Sequence, residues 1–315
     1  MFESSAKTKR KPMSAARKRE IFKNWVPMYV MLLPFLILYF LFMFLPIMGG
    51  AVLSLTDFNG LQFPAFVGTG NFSRLFLRDP VFLIALRNTL FLALITGPSG
   101  VIISFLVAWL IRELHRPLRL VFATLMYLPA LTGAATFATV MRFIFAADSH
   151  GLINSFLMRT NILIDPINWV GDANWTMTTV VIVSLWTSFG IGFLAFMAGL
   201  AKLDKAYYEA AAIDGMRNRM QELYYVTLPQ MGPQLLFGAV MSIAGAFTVG
   251  LISEQMTGNP SVAYSTHTLM LHMQEVGTQR FEMGYAAAVS IVMFVMMQIT
   301  WSLIKRMLKR FNAGN

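Results

Sequence analysis

Six stretches of the chain run apolar for the length of a bilayer: roughly 26–54, 83–111, 119–146, 176–201, 233–252 and 284–304. Polar connections rich in glycine and proline separate them. A helix rising about 1.5 Å per residue needs about 20 apolar residues to cross the hydrocarbon core, and each stretch has them. The pattern predicts an all-α integral membrane protein with six transmembrane helices. One membrane domain covers 26–306, after a basic segment at 1–25 and before a short tail at 307–315. The first apolar run is longer than the 7–15 residues of a signal-peptide core and shows no small-residue cleavage site, so it is expected to stay as a span.

Composition supports this reading. Of 315 residues, 57% are hydrophobic and 13% charged, about half the charged share of a soluble domain. There is no cysteine, which removes disulfides, thiolate metal sites and cysteine nucleophiles. The net charge of +10 does not point to nucleic acid, because most of it flanks the apolar runs. Nineteen of the 25 Lys and Arg lie in residues 1–24, the second-to-third and fourth-to-fifth connections, and the tail. The positive-inside rule makes those segments and both termini cytoplasmic. Trp169 and Trp175, in an outer connection, suit anchoring at the interface.

What the spans lack restricts the chemistry. Arg87 and Arg142 lie near outer ends of spans, where they can snorkel, and Arg119 stands at the first position of the third; otherwise the six stretches hold no Asp, Glu, Lys, Arg or His. That counts against a proton-driven transporter. A sodium-coupled secondary transporter remains an alternative, but its broken helices would have one sign only, "TGPSG" at Thr96–Gly100. An integral membrane lipid-modifying enzyme is a second alternative, which needs an acid/base or metal-binding cluster that the pattern does not show. There is no GxxxxGK[ST] loop and no HExxH helix, and His267 and His272 are five apart, unsuited to a helical metal pair. No catalytic, cofactor-binding or metal-ligating residue is therefore assigned. If this chain moves a solute, the energy comes from a partner.

The segment 204–229 is polar, yet it reads as built structure. Asp204 can cap a helix starting at Lys205, "KAYYEAAAID" propagates on its alanines, and Gly215 is placed to end it in the left-handed region. "RNRMQELYYV" predicts a second short helix, stopped near Pro229. Ala210, Ala211 and Ala212 leave a nearly smooth face, with the charge of Glu209 at its start. A plain linker needs no two-helix build; a docking surface does.

"EAAAIDG…TLP" resembles the EAA signature, EAA-x3-G-x9-I-x-LP, of the permease subunits of bacterial binding-protein-dependent ABC importers. Glu209, Ala210, Ala211 and Gly215 match it, Asp214 lies within it, and Leu228 and Pro229 close it. One departure is visible: ten residues, rather than nine, separate Gly215 from the hydrophobic position, which is Val226. "LLPFLILYFLFMFLPIMGGAVLSLTDFNG", "FVGTGNFSRLF" with "ALRNTLFLAL", "INWVGDANW" and "LWTSFGIGFLAFMAGLAKLDKAYYEAAAIDG" are similar to segments of the maltose-type carbohydrate permeases. The resemblance implies a type I ABC importer permease fold in the bacterial plasma (inner) membrane. It implies a second homologous permease in a heterodimer, a dimer of ATP-binding subunits that receives the 204–229 element, and an extracellular or periplasmic solute-binding protein that delivers a sugar. ATP and Mg2+ would then sit on the partner ATPase, with no cofactor on this chain. Trp186 and Phe247 lie in spans similar to those lining such sugar paths and are candidate substrate contacts.

Overall fold

The computed structural model describes residues Ala15–Ala313, with side chains from Trp25 to Arg306 apart from Ala134 and Ala135. The basic residues before Ala15, part of the predicted 1–25 segment, lie outside the described residues, as does the end of the tail. No strand occurs among the described residues, only an isolated bridge between Thr56 and Phe66.

The chain divides into two compact units, 1–52 and 53–315. The first unit is one helical run: α1 (Ala15–Tyr39), a π turn at Phe40–Phe44, then α2 (Leu45–Leu53). The π turn sits just ahead of Pro46, whose missing N–H and bulky ring displace the α ladder. Every side chain from Trp25 to Gly49 is exposed, so the apolar surface runs all round this helix.

In the second unit, α3 (Gly70–Leu77) leads into α4 (Pro80–Arg112). Asp79 caps α4 by accepting the Phe82 N–H at 2.9 Å, and Pro80 follows in the first turn, where its missing donor costs nothing. At 33 residues α4 is about 50 Å long, so its two ends define the two ends of the bundle. "TGPSG" does not break it. Pro98 is accommodated within the helix, and the Gly97 carbonyl accepts the Ser242 hydroxyl at 2.8 Å.

The breaks fall elsewhere, in three stretches that the apolar pattern presents as continuous. α5 (Arg116–Thr132) and α6 (Ala134–Ile144) meet at Gly133, with φ +77°, and Arg116–Thr132 turns by 113° relative to Thr136–Ile144. After the short α7 (Leu152–Arg159), α8 (Ala173–Thr187) and α9 (Ile191–Ala201) bend by 42° across Ser188–Gly190. The 204–229 element contributes α10 (Lys205–Ile213), α11 (Arg219–Gln221) and α12 (Leu228–Gln230). α13 (Gly232–Phe247) and α14 (Gly250–Thr257) bend by 42° across Thr248–Val249. The fifth helical run thus reaches Thr257 and takes in Glu254, a charge that the shorter predicted stretch excluded. α15 (Leu269–Gln274) and a π turn at Glu275–Gln279 precede the long α16 (Met283–Ala313). Among the described residues three helices are long and apolar enough to cross a membrane alone, and there are up to six spans when each bent pair counts as one.

The centre of the unit is the packing of α4, α9 and α13 on one another. Glycines permit it. A Cβ on Gly192 would lie 3.3 Å from the Gly238 α-carbon, and one on Gly238 would lie 2.2 Å from the Phe196 ring. Gly190, in contrast, faces open space and belongs to the α8–α9 break. Phe105, Phe193, Phe196 and Leu200 fill the core beside these contacts.

Candidate functional site

The 204–229 element stands at the Arg112 end of α4. Asp204 caps α10 by accepting the Ala206 N–H at 3.0 Å. At the other end Gly215 adopts φ +93°, its N–H bonds the Ala212 carbonyl at 3.2 Å, and the Met216 N–H bonds the Ala211 carbonyl at 3.1 Å. That is a Schellman close, which satisfies the orphan carbonyls of a helix presented to solvent. No residue of α10 is buried. Glu209, Ala210 and Asp214 are exposed, Ala211 is half-exposed, Leu228 is half-buried and Pro229 is exposed in the first turn of α12.

The predicted second helix is different. Only Arg219–Gln221 is α-helical, capped by the Asn218 side chain, which accepts the Gln221 N–H at 2.8 Å. Glu222–Thr227 is a π turn that ends with the Leu228 N–H on the Leu223 carbonyl. A π turn holds one residue more than an α turn, which accounts for the extra residue between Gly215 and Val226. Val226 and Thr227 stay buried as a result.

The element is fastened by residues that no local pattern pairs. Arg112 Nη1 donates to the Tyr208 hydroxyl at 2.9 Å, and the guanidinium lies 4.9 Å from the centre of the tyrosine ring. That hydroxyl also meets Thr227 Oγ1 at 3.1 Å. Arg219 pairs with Glu113, next to the end of α4, and approaches Glu222 at 3.7 Å. Around these ties Tyr207, Ile213, Met220 and Tyr225 project outward, Ile213 with 87% of its surface exposed.

A cavity of about 440 Å3 opens within the bundle, and all three helix breaks line it: Gly133, Ser188 with Gly190, and Thr248 with Val249. Interrupted backbone at membrane depth is tolerated where it borders such a space. Among the described residues no charged side chain lines the cavity; Thr96, Ser104, Tyr127, Thr187, Ser188 and Ser242 do. Several of these hydroxyls already donate to carbonyls: Thr96 to Leu92 at 2.7 Å, Thr187 to Ser184 at 2.8 Å, Ser188 to Leu185 at 2.6 Å. Their remaining capacity is as acceptors, suited to a neutral ligand rich in hydroxyl donors. Neither aromatic candidate lines this cavity. Phe247 is buried beside Ala93, Ile243 and Ala246. Trp186 borders a separate hollow of about 260 Å3 and meets Phe137 edge-on at 5.8 Å.

At the opposite end of α4, titratable groups gather that the sequence spreads over two hundred residues. Asp79 Oδ2 accepts the Tyr285 hydroxyl at 2.6 Å and lies 3.2 Å from His272 Nε2. His267 Nε2 lies 3.7 Å from Glu275 Oε2, while Arg280 pairs with Glu275 Oε1 and Arg74 with Glu282. The two imidazoles are 5.7 Å apart between centres. Helical spacing does not govern them, because His267 precedes the cap residue Thr268 and lies outside α15. Burial and then the neighbouring His272 draw the pKa of His267 down to about 4. Burial likewise lowers that of His272, against the pull of Asp79 and Glu275. Burial acts to raise the pKa of Asp79, but the bonds from Tyr285 and the Phe82 N–H outweigh it and hold the group below its usual value.

Over residues 98–312 the sequence matches the family described as binding-protein-dependent transport system inner membrane component. The chain belongs to this family. Among relatives of this permease family, the lactose transport system permease protein LacF of Rhizobium radiobacter is 31% identical, over 84% of this chain and 88% of its own length. The arabinooligosaccharides transport system permease protein AraP of Bacillus subtilis (strain 168) is 30% identical, over 86% and 85%. The sn-glycerol-3-phosphate permease UgpA of Pectobacterium atrosepticum is 29% identical, over 88% and 92%. In fold, this permease is similar to a chain of a bacterial ABC transporter that imports alginate, at a TM-score of 0.74 and 22% identity over 93% of this chain and 99% of that one. A chain of a bacterial alginate ABC transporter in complex with alginate pentasaccharide-bound periplasmic protein gives 0.78, again at 22% identity, over 93% and 97%. The chain is thus a multi-pass, all-α permease of the ABC importer type rather than a secondary transporter or a lipid-modifying enzyme.

Proposed function

We propose that this permease forms half of an import path for an uncharged carbohydrate of oligosaccharide size and takes its power stroke through α10. The exposed, doubly capped α10, tied to the end of α4 through Arg112 and Tyr208, is the observation that carries the proposal. Its partner is an ATP-binding subunit that receives Glu209, Ala210 and Ala211, with Gly215 making the turn and Leu228–Pro229 leading back to the bundle. Both termini and α10 then face the cytoplasm of a bacterial plasma membrane, and the Asp79 end faces a solute-binding protein. A second, homologous permease completes the path.

ATP binding closes two nucleotide-binding subunits and draws the two coupling helices together. The α10 displacement passes to α4 through Arg112–Tyr208 and Arg219–Glu113, so the bundle rocks between inward-open and outward-open as a largely rigid body. The substrate class is supported by the uncharged, hydroxyl-lined cavity at the three breaks and by the lactose and arabinooligosaccharide permeases among the relatives. Hydrolysis, ATP and Mg2+ belong to the partner.

The test is Glu209→Lys, assayed for uptake and for substrate-stimulated ATP hydrolysis of the assembled importer. We expect uptake to be lost, hydrolysis to be uncoupled from substrate, and the permease to remain in the membrane at its normal level. Normal uptake would remove α10 from the coupling role.

A further inference from the structure

We propose that His267, His272 and Glu275 form a binding site for a divalent transition-metal ion, with Zn2+ the best chemical match. One donor atom from each residue lies within 4.8 Å of the other two, and all three residues are buried. His267 is 0% and His272 1% exposed. Both nitrogens of His267, Nδ1 of His272 and Glu275 Oε2 are buried without a hydrogen-bond partner, while His272 Nε2 faces Asp79 Oδ2 at 3.2 Å. Buried polar atoms are almost always satisfied, so four together in one small volume require an explanation. A shared cation supplies one for a single lone pair on each imidazole and one on Glu275 Oε2, which have no donor to meet.

The donor chemistry agrees. Two imidazoles and one carboxylate are the ligand set of many zinc sites with an open fourth position. Metal–donor bonds of about 2.1 Å place tetrahedral donors about 3.4 Å apart. His267 Nε2 and Glu275 Oε2, at 3.7 Å, are already near that spacing. Burial favours the neutral imidazoles that bind metal. The surroundings also hold the donors in place. Arg280 binds the other oxygen of Glu275, and Asp79, 3.2 Å from His272 Nε2 and bonded to Tyr285, occupies the place of an orienting carboxylate. The Tyr264 ring meets His267 at 5.3 Å, and Phe82 meets His272 at 6.2 Å. The ion would tie the residue preceding α15 to the π turn following it and, through Asp79 and Tyr285, brace both against the starts of α4 and α16. Its role is structural, in the half of the molecule opposite α10.

The full-length permease, freed of any histidine tag and stripped with chelator in mild detergent, is titrated with Zn2+ and, separately, with Co2+. We expect one Zn2+ per chain retained through gel filtration and a Co2+ absorption band of tetrahedral intensity. His272→Gln and Glu275→Gln should each weaken binding at least about 100-fold. His150→Gln, at an exposed histidine outside the cluster, should not. If the cluster variants fail to fold, X-ray absorption at the zinc edge of the wild-type chain decides the matter, with two imidazoles in the coordination shell expected. Zinc well below one per chain, binding equal in the His272 and His150 variants, or a shell without imidazole overturns the site and leaves the cluster as a buried polar network.

Discussion

At the scale of single residues, the decisive contacts are few and distant in sequence. Tyr208 sits one position before Glu209 in a stretch that otherwise reads as a smooth alanine face, and its hydroxyl joins Arg112 to Thr227. Tyr208→Phe keeps the ring under the guanidinium but removes both hydrogen bonds, a loss of about 1 kcal/mol per bond at a part-buried site. We expect reduced coupling, read as a lower ratio of sugar moved to ATP hydrolysed, in a permease that still assembles. An unchanged ratio would show that Tyr208 only fills space. The two aromatic candidates show the limit of residue-type reasoning. With 27 phenylalanines in the chain, an aromatic in the right span is poor evidence of a path, and Phe247 is packed at 1% exposure.

At the scale of elements, the π turn at Glu222–Thr227 is the instructive case. The segment carries one residue more than the signature it resembles, and the turn stores the surplus while leaving Val226 and Thr227 on the buried face. Deleting Tyr225, which is exposed, should convert the π turn to an α turn. Membrane level and at least about half of the uptake should survive, because an α turn restores the facing of the residues beyond it. Inserting an alanine at the same place should abolish uptake, since the added residue rotates Leu228 and Pro229 away from the bundle. Equal uptake from the deletion and the insertion would refute this account. The α10 caps, by contrast, follow from short-range rules: an aspartate that accepts an N–H two residues on, and a glycine free to take φ +93°.

At the scale of the whole molecule, three bent helices bring their breaks to one cavity, and a 33-residue helix joins the α10 end to the histidine end. Gly245 lines that cavity with nothing within 4 Å of where a Cβ would stand. Gly245→Trp should therefore fill the space without strain in the packed core. Uptake should fall at least about tenfold, since the indole takes up much of the space that the cavity offers a substrate, while assembly is unaffected. Full uptake by a folded Gly245→Trp permease would place the path elsewhere.

The apolar runs, the low charge and the capped α10 were legible in the sequence because each depends on composition or on residues within one or two turns. The family resemblance was legible for the same reason, since its signature is a local helix–turn–helix return. The breaks were not. Pro98 looks like an interruption and stays helical, while Ser188–Gly190 and Thr248–Val249 look unremarkable and bend, because the neighbouring helices and the space between them select the conformation. The anchoring of α10 and the histidine cluster were beyond reach for a related reason. Arg112 and Tyr208 are 96 positions apart, Asp79 and Tyr285 are 206 apart, and no periodicity links them. His267 and His272 have a spacing wrong for one helix and right for a helix start that follows a turn. The sequence alone determined where the long helical runs lie and that Lys205–Ile213 is a capped helix. Only the tertiary structure decided what those helices enclose, because burial and polar contact there arise between segments that meet only in the folded bundle.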